Sequence, residues 1–200
     1  SVEANITPYT KAIMAIDIFG HSADMNALRK IADKHNLKII SDTAQAPGAI
    51  YKGKYAGTLG DIGGYSLNYH KHIHTGEGGI LVTNSSTYAK RLRLLRNHAE
   101  AIMSKSSSKK NLINMIGNNF RMGEIEAAIG IEQLKKLDHL VSVRQSQAYA
   151  LAAGLAHLKG LQGPILDSDN TNAFYIFPMV LDYKSLNVRR ETIVDALTSE

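Results

Sequence analysis

Short apolar runs alternate along the chain with stretches whose apolar residues recur every three or four positions. Residues 12–19, AIMAIDIF, form the first run. It has the pattern of a strand buried on both faces of a parallel sheet. Over 24–35, Met25, Leu28, Ile31 and Ala32 fall at helical spacing, with Ser22 or Asp24 in position to cap the helix. Residues 37–42, LKIISD, read as a second buried strand. Strand, helix and strand within about thirty residues predict a βαβ unit with a parallel crossover. Open parallel sheets bind ligands beyond the carboxyl ends of their strands. Asp42 closes such a strand and is therefore the first candidate functional residue.

Further strands are expected near 62–67 (IGGYSL) and 79–83 (GILVT), with NYHKHIHTGEGG between them. Residues 85–96 predict a helix opened by Ser85 or Ser86. Residues 100–118 are polar around SKSSSKK and read as a loop. From Met122 to Leu158, apolar residues at steps of three, four and seven predict one long helix leading into a second domain. Residues 174–182, FYIFPMVLD, predict a strand, with Pro178 confining it to an edge or interrupting it. Residues 188–198 predict a final helix.

Composition narrows the chemistry. Apolar residues make up 44% of the 200 residues and charged residues 20%, which argues against wholesale disorder. The absence of cysteine excludes disulfides, thiol catalysis and Cys-ligated metals within this chain. It fits the reducing cytosol. No apolar run reaches membrane-span length and no signal pattern opens the chain. Much of the net charge of +5 is local: Lys90, Arg91, Arg93, Arg96, Lys105, Lys109 and Lys110 face only Glu100. The stretch suits an anionic partner, or simply a solvated helix face and loop. No aromatic residues interleave with these charges, so nucleic acid is not the expected partner.

Lys71 lies in His70-Lys71-His72, with Gly76, Gly78 and Gly79 close behind. A lysine becomes a nucleophile in a desolvated or cationic setting, although most lysines are surface cations. Asp42-Thr43-Ala44-Gln45 offers a carboxylate for a metal, a base or a heterocyclic NH⁺, and equally a turn former. His70, His72 and His74 would share one side of an extended segment, with Glu77 as a fourth ligand. No supporting ligand cluster appears elsewhere, so no metal is assigned. The glycines of GTLGDIGG (57–64) lack dinucleotide spacing. There is no hydrolase elbow and no P-loop.

Five stretches taken together resemble one family. They are TPYTKAIMAIDIFGHSADM (7–25), SDTAQAPGAIYKGKYAGTLGDIGGYSL (41–67), HKHIHTGEGGILVTN (70–84), RLRLLRNHAE (91–100) and GNNFRMGEIEAAIGIEQLKKLD (117–138). In order and spacing they are similar to sugar-nucleotide aminotransferases of the DegT/StrS type, pyridoxal 5′-phosphate enzymes of fold type I. The resemblance is specific over 7–145 and vague beyond.

The resemblance implies an α/β fold with a mainly parallel sheet flanked by helices. It also implies part of a smaller α+β domain, with the large domain over 1–135 and the connecting helix and small domain over 136–200. It implies that Lys71 bonds the cofactor aldehyde and shuttles the proton, and that Asp42 pairs with the pyridine nitrogen. Gln45 then contacts the ring, Ser66 donates to the phosphate, and Asn119 reaches the phosphate of the neighbouring subunit. A homodimer with shared active sites follows. The implied partners are a nucleotide-sugar, such as a 4-keto-6-deoxyhexose, and an amino-acid donor such as L-glutamate, for surface-glycan synthesis.

The same resemblance implies an upstream region with a phosphate-cradling turn and a ring-stacking aromatic, neither of which is found here, and a second domain cut short near Glu200. His70 and Asn118 depart from the family pattern. One branch carries histidine for the lysine and dehydrates sugars. A sugar 3-dehydratase and a non-catalytic regulatory relative therefore remain alternatives.

Overall fold

The computed structural model describes residues 1–99, 115–166 and 169–200. Most of the basic loop expected over 100–118 lies outside them. Strand β1 (Ala12–Ile16) is followed by α1 (Met25–Lys34) and β2 (Lys38–Asp42). Asp24 caps α1, its Oδ1 accepting from the Ala27 N–H at 3.1 Å. A hairpin of β3 (Ile50–Tyr51) and β4 (Lys54–Tyr55) precedes β5 (Ile62–Ser66), β6 (Gly79–Val82) and α2 (Ser86–Arg96), which Ser85 caps. Next come α3 (Glu124–Leu134), α4 (Leu137–Leu155), β7 (Leu161–Gln162), β8 (Asn170–Thr171), β9 (Val180–Leu181), α5 (Tyr183–Leu186) and α6 (Arg190–Thr198).

The main sheet runs β1-β2-β5-β6. The first three strands are parallel and β6 is antiparallel. This is the α/β class expected from the sequence. Helix α1 covers one face, where Ala15, Met25, Ala32, Leu37 and Ile39 pack with Tyr51. On the other face Met14 is 64% exposed, Ile16 53% and Leu81 59%. The expectation that β1 is buried on both faces therefore fails within this chain. A period-two strand presents alternate residues to each face, and only the α1 side is covered.

The strand also ends earlier than the apolar run. Asp17 is buried, and a turn over Ile18–Gly20 with Phe19 at φ 60° and Gly20 at φ 101° redirects the chain. Asp17 accepts from the Ala23 N–H at 2.9 Å and from Thr43 Oγ1 at 2.7 Å. It thus ties the end of β1 to the residue after β2.

Two further expectations are corrected. The helix over 122–158 is two helices, because at Lys136 the ladder tightens to a three-residue step, its N–H donating to Gln133 O at 3.0 Å. The strand over 174–182 is reduced to Val180–Leu181, pairing with Leu161–Gln162. Phe174 at φ 46° and Pro178 leave little extended chain before it. Helix α4 packs Val141 on Ala46, Ala49, Ala56 and Ala173. The short strand β8 joins β3 antiparallel, carrying the chain back across the first unit. No helix among the described residues is long and apolar enough to cross a membrane.

Replacing Asp17 by Ala should cost about 2 kcal/mol, since it strands a half-buried N–H and a buried hydroxyl. The measurement is the denaturant midpoint at constant slope. An unchanged midpoint contradicts the role given to this carboxylate.

Candidate active site

The register of the parallel strands builds the site. Ile16 lies opposite Asp42, Asp42 opposite Gly64, and Gly64 opposite Leu81. Asp42 therefore stands in a row between two exposed apolar residues, at the carboxyl edge of the sheet. Ser66 ends β5 two residues beyond Gly64 at the same edge. Asp42 is half-buried and its Oδ1 accepts from the Ala44 N–H at 3.1 Å. This turn lifts the chain off the sheet and leaves Oδ2 without a hydrogen-bond partner among the described residues. Next along, Gln45 turns back, its Oε1 accepting from the Phe19 N–H at 2.8 Å.

The loop after β5 closes on itself. Leu67 N–H donates to Gly78 O at 2.8 Å, and Thr75 N–H to Leu67 O at 3.0 Å. Asn68 Nδ2 donates to Glu77 Oε1 at 2.7 Å, and Ser66 Oγ accepts from the Asn68 N–H at 3.2 Å. Lys71 sits inside this loop, half-buried, with its Nζ 4.5 Å from the centroid of the Tyr175 ring.

The three histidines do not share a side. His70 and His74 are exposed, whereas His72 is buried with Nε2 2.8 Å from Ala173 O. The segment is a set of turns, not an extended strand, so period-two alternation does not apply. Because a carbonyl only accepts, His72 donates through Nε2. Its Nδ1 then carries a buried lone pair with no partner among the described residues. Burial, with help from the positive charges of Arg144 and Lys71, pushes the His72 pKa below its ordinary value; the bond to Ala173 opposes this. Asp17 shifts the other way: burial raises it, its hydrogen bonds oppose this, and the Asp42 charge adds a little.

Asp42 and Ser66 thus share the sheet edge, and Lys71 follows in the β5 loop. Gln45 Oε1 is taken by the Phe19 backbone. Asn119 is exposed, bridged to Asn97, and its Oδ1 accepts from the Arg121 N–H at 3.4 Å. None of its hydrogen bonds reaches the other four candidates. Sequence reasoning missed Asp17, His72 as a buried anchor, and Tyr175. A charged residue within the run AIMAIDIF was the available signal for Asp17. Tyr175 lay within a run read as a strand, and nothing local marked it.

Comparison with known proteins now gives the family. The description of the DegT/DnrJ/EryC1/StrS aminotransferase family matches residues 1–200, and the chain belongs to that family. It is 34% identical over 207 residues to the L-glutamine:2-deoxy-scyllo-inosose aminotransferase of Streptoalloteichus tenebrarius, covering 100% of this chain and 49% of the relative. The solved structure of S. venezuelae DesV, in complex with a ketimine intermediate, superposes with a TM-score of 0.86 at 34% identity, over 99% of this chain and 50% of that one. The E. coli GDP-4-keto-6-deoxy-D-mannose-3-dehydratase, solved with bound hydrated PLP, gives 0.85 at 28% identity, over 99% of this chain and 53% of that one. The chain spans about half the length of the relatives it matches.

The lowered His72 value sets a pH dependence. The folded protein holds fewer protons here than the unfolded chain once the pH falls below the ordinary histidine value of 6.5. The stability tied to neutral His72 is complete above that value and is lost as the pH falls below it. The melting temperature of the parent should fall from pH 7 to pH 5 by more than that of His72→Gln. Parallel curves contradict the buried neutral histidine.

Proposed function

We propose that the whole protein is a pyridoxal 5′-phosphate-dependent aminotransferase acting on a keto-sugar nucleotide. The amino group comes from an amino acid such as L-glutamate, and the acceptor is a 4-keto-6-deoxyhexose bound to a nucleotide. The observation that carries this reading is the edge shared by Asp42 and Ser66, with the Lys71 amine in the loop that follows. A carboxylate with one oxygen unspent, a hydroxyl and a half-buried primary amine are the donor set that a pyridine nitrogen, a phosphate and an aldehyde require.

When bound, the cofactor supplies an aldehyde and a protonated ring that accepts electron density. Lys71 would hold the cofactor aldehyde through its amine. Freed by an amino-acid donor, Lys71 Nζ would be the group that carries the proton from the donor carbon to the cofactor carbon. Asp42 would keep the ring nitrogen protonated through Oδ2. Gln45, its Oε1 held by the Phe19 N–H, would brace the ring edge through Nε2, and Ser66 would donate to the phosphate. Asn119, exposed in this chain, serves the phosphate of a neighbouring subunit in a homodimer with shared sites. Residues 1–135 belong to the cofactor-binding domain, and 136–200 form its connecting helix and the start of a smaller domain. The protein works in the cytoplasm and feeds surface-glycan or lipopolysaccharide synthesis.

Adding PLP to the whole protein should give a visible absorption band. Borohydride should then fix the cofactor on the peptide containing Lys71, and Lys71→Ala should abolish both. PLP bound with no lysine adduct points instead to the dehydratase chemistry of the E. coli relative, read as loss of a hydroxyl rather than gain of an amine. A Lys71→Ala variant that transaminates at the parent rate overturns the assignment.

A further inference from the structure

We propose that the segment Asn172–Tyr175 is a clamp on the lysine loop, and that Tyr175 and His72 are positioning residues that hold the Lys71 amine at the sheet edge. This rests on the reading of Lys71 as the residue that captures PLP.

The segment follows β8, which β3 holds in place. Three successive carbonyls are gripped from outside: Asn172 O by Gln145 Nε2 at 3.0 Å, Ala173 O by His72 Nε2 at 2.8 Å, and Phe174 O by Arg144 Nη1 at 3.1 Å. Two grips come from α4 and one from the lysine loop. The N–H groups are held as well. Ala173 donates to Gly20 O at 2.8 Å, Phe174 to Asn172 Oδ1 at 2.6 Å, and Ile176 to Phe19 O at 3.4 Å. The fit against Gly20 leaves no room for a side chain. A Cβ there would come within 2.5 Å of the Phe174 nitrogen and 2.8 Å of the Tyr175 nitrogen.

Phe174 is buried at φ 46°, a backbone region costly for an aromatic residue. Such a conformation persists only where its surroundings over-determine it. Here they do, through both backbone bonds and an edge contact of its ring with Tyr149 at 5.9 Å.

The outcome of this bracing is the placement of one ring. Tyr175 stands 4.5 Å from Lys71 Nζ and 5.9 Å from the His72 ring. His72, next to Lys71 in the chain, fixes the loop to the clamp, and the Tyr175 ring lies against Lys71 Nζ. Ile176, directly after the clamp, bonds Phe19, whose N–H is held by Gln45. The clamp and Ile176 therefore link two candidates from separate loops, Gln45 and Lys71. A lysine side chain has many rotamers, and an aromatic face narrows them for a cation. None of the hydrogen bonds described for the clamp uses the Tyr175 hydroxyl, so the ring alone is required.

The test uses the whole protein, stripped of PLP and then mixed with it, and reads the rate at which the visible band appears. Tyr175→Phe keeps the ring and should match the parent. Tyr175→Leu and Tyr175→Met lose the ring that narrows the Lys71 rotamers and should slow capture about fivefold, within the rotamer freedom a lysine regains. Their borohydride adduct should still map to Lys71. Capture at the parent rate by a folded Leu or Met variant overturns the clamp and leaves the proposed function standing. A parent protein that yields no Lys71 adduct overturns the proposed function itself.

A second measurement needs no variant to decide it beyond identifying the signal. After reductive 13C-methylation of the PLP-free parent, the Lys71 methyl resonance is the one missing from Lys71→Ala. It should lie upfield of the other lysines because of the Tyr175 ring. A resonance at the common lysine position overturns the clamp.

Discussion

The parallel pairing of three strands is the constraint from which the rest follows. With Ile16, Asp42 and Gly64 in register, consecutive strands end at one edge. The residues just past those ends, Asp17 and Thr43, fall on the α1 side, while Asp42 falls on the other. Two carboxylates on neighbouring strands thus acquire opposite duties. Asp17 is desolvated and committed to Thr43 and Ala23, and burial raises its pKa. Asp42 keeps one oxygen for a ligand. Had β2 slipped by one residue against β1, its side chains would have changed faces and both carboxylates would lie on one side.

Around this edge the packing is close and small. Ala46, Ala49, Ala56 and Ala173 meet Val141 of α4, so backbones lie near one another. Small side chains allow α4 to send Arg144 and Gln145 across to main-chain carbonyls. The helix that reads as a connector in the sequence is therefore also a wall of the site.

Elements with strong local periods were legible in the sequence. Strands β1, β2, β5 and β6 and helices α1, α2 and α6 follow from spacing alone, and their caps were narrowed to Ser22 or Asp24 and to Ser85 or Ser86. The break at Lys136 was hidden because residues on both sides keep helical backbone angles and only one hydrogen bond shortens its step. The two-residue strands β3, β4, β7 and β8 leave too few positions for any period to register. At the candidate site, Asp42 was readable as the end of a buried strand and Lys71 as a lysine set among histidines and glycines, whereas Ser66, Asn119 and every cofactor role needed the family resemblance. Tyr175 escaped both routes, since its meaning arises from a contact spanning more than a hundred residues. The inward turn of His72 was hidden for the same reason, because its partner is Ala173.

One feature of the segment after β8 bears on how such a protein drifts over time. What its holders grasp are carbonyl oxygens, which every amino acid carries. The identity of the side chain at Ala173 is therefore invisible to His72, and that of Phe174 to Arg144, apart from the space each fills. Substitutions in the held segment are screened mainly by volume, whereas substitutions in the holders remove the donors outright. Mutational tolerance is thus split unevenly between two surfaces in contact. Gly20 is the exception on the receiving side, because there the objection is to any atom at all.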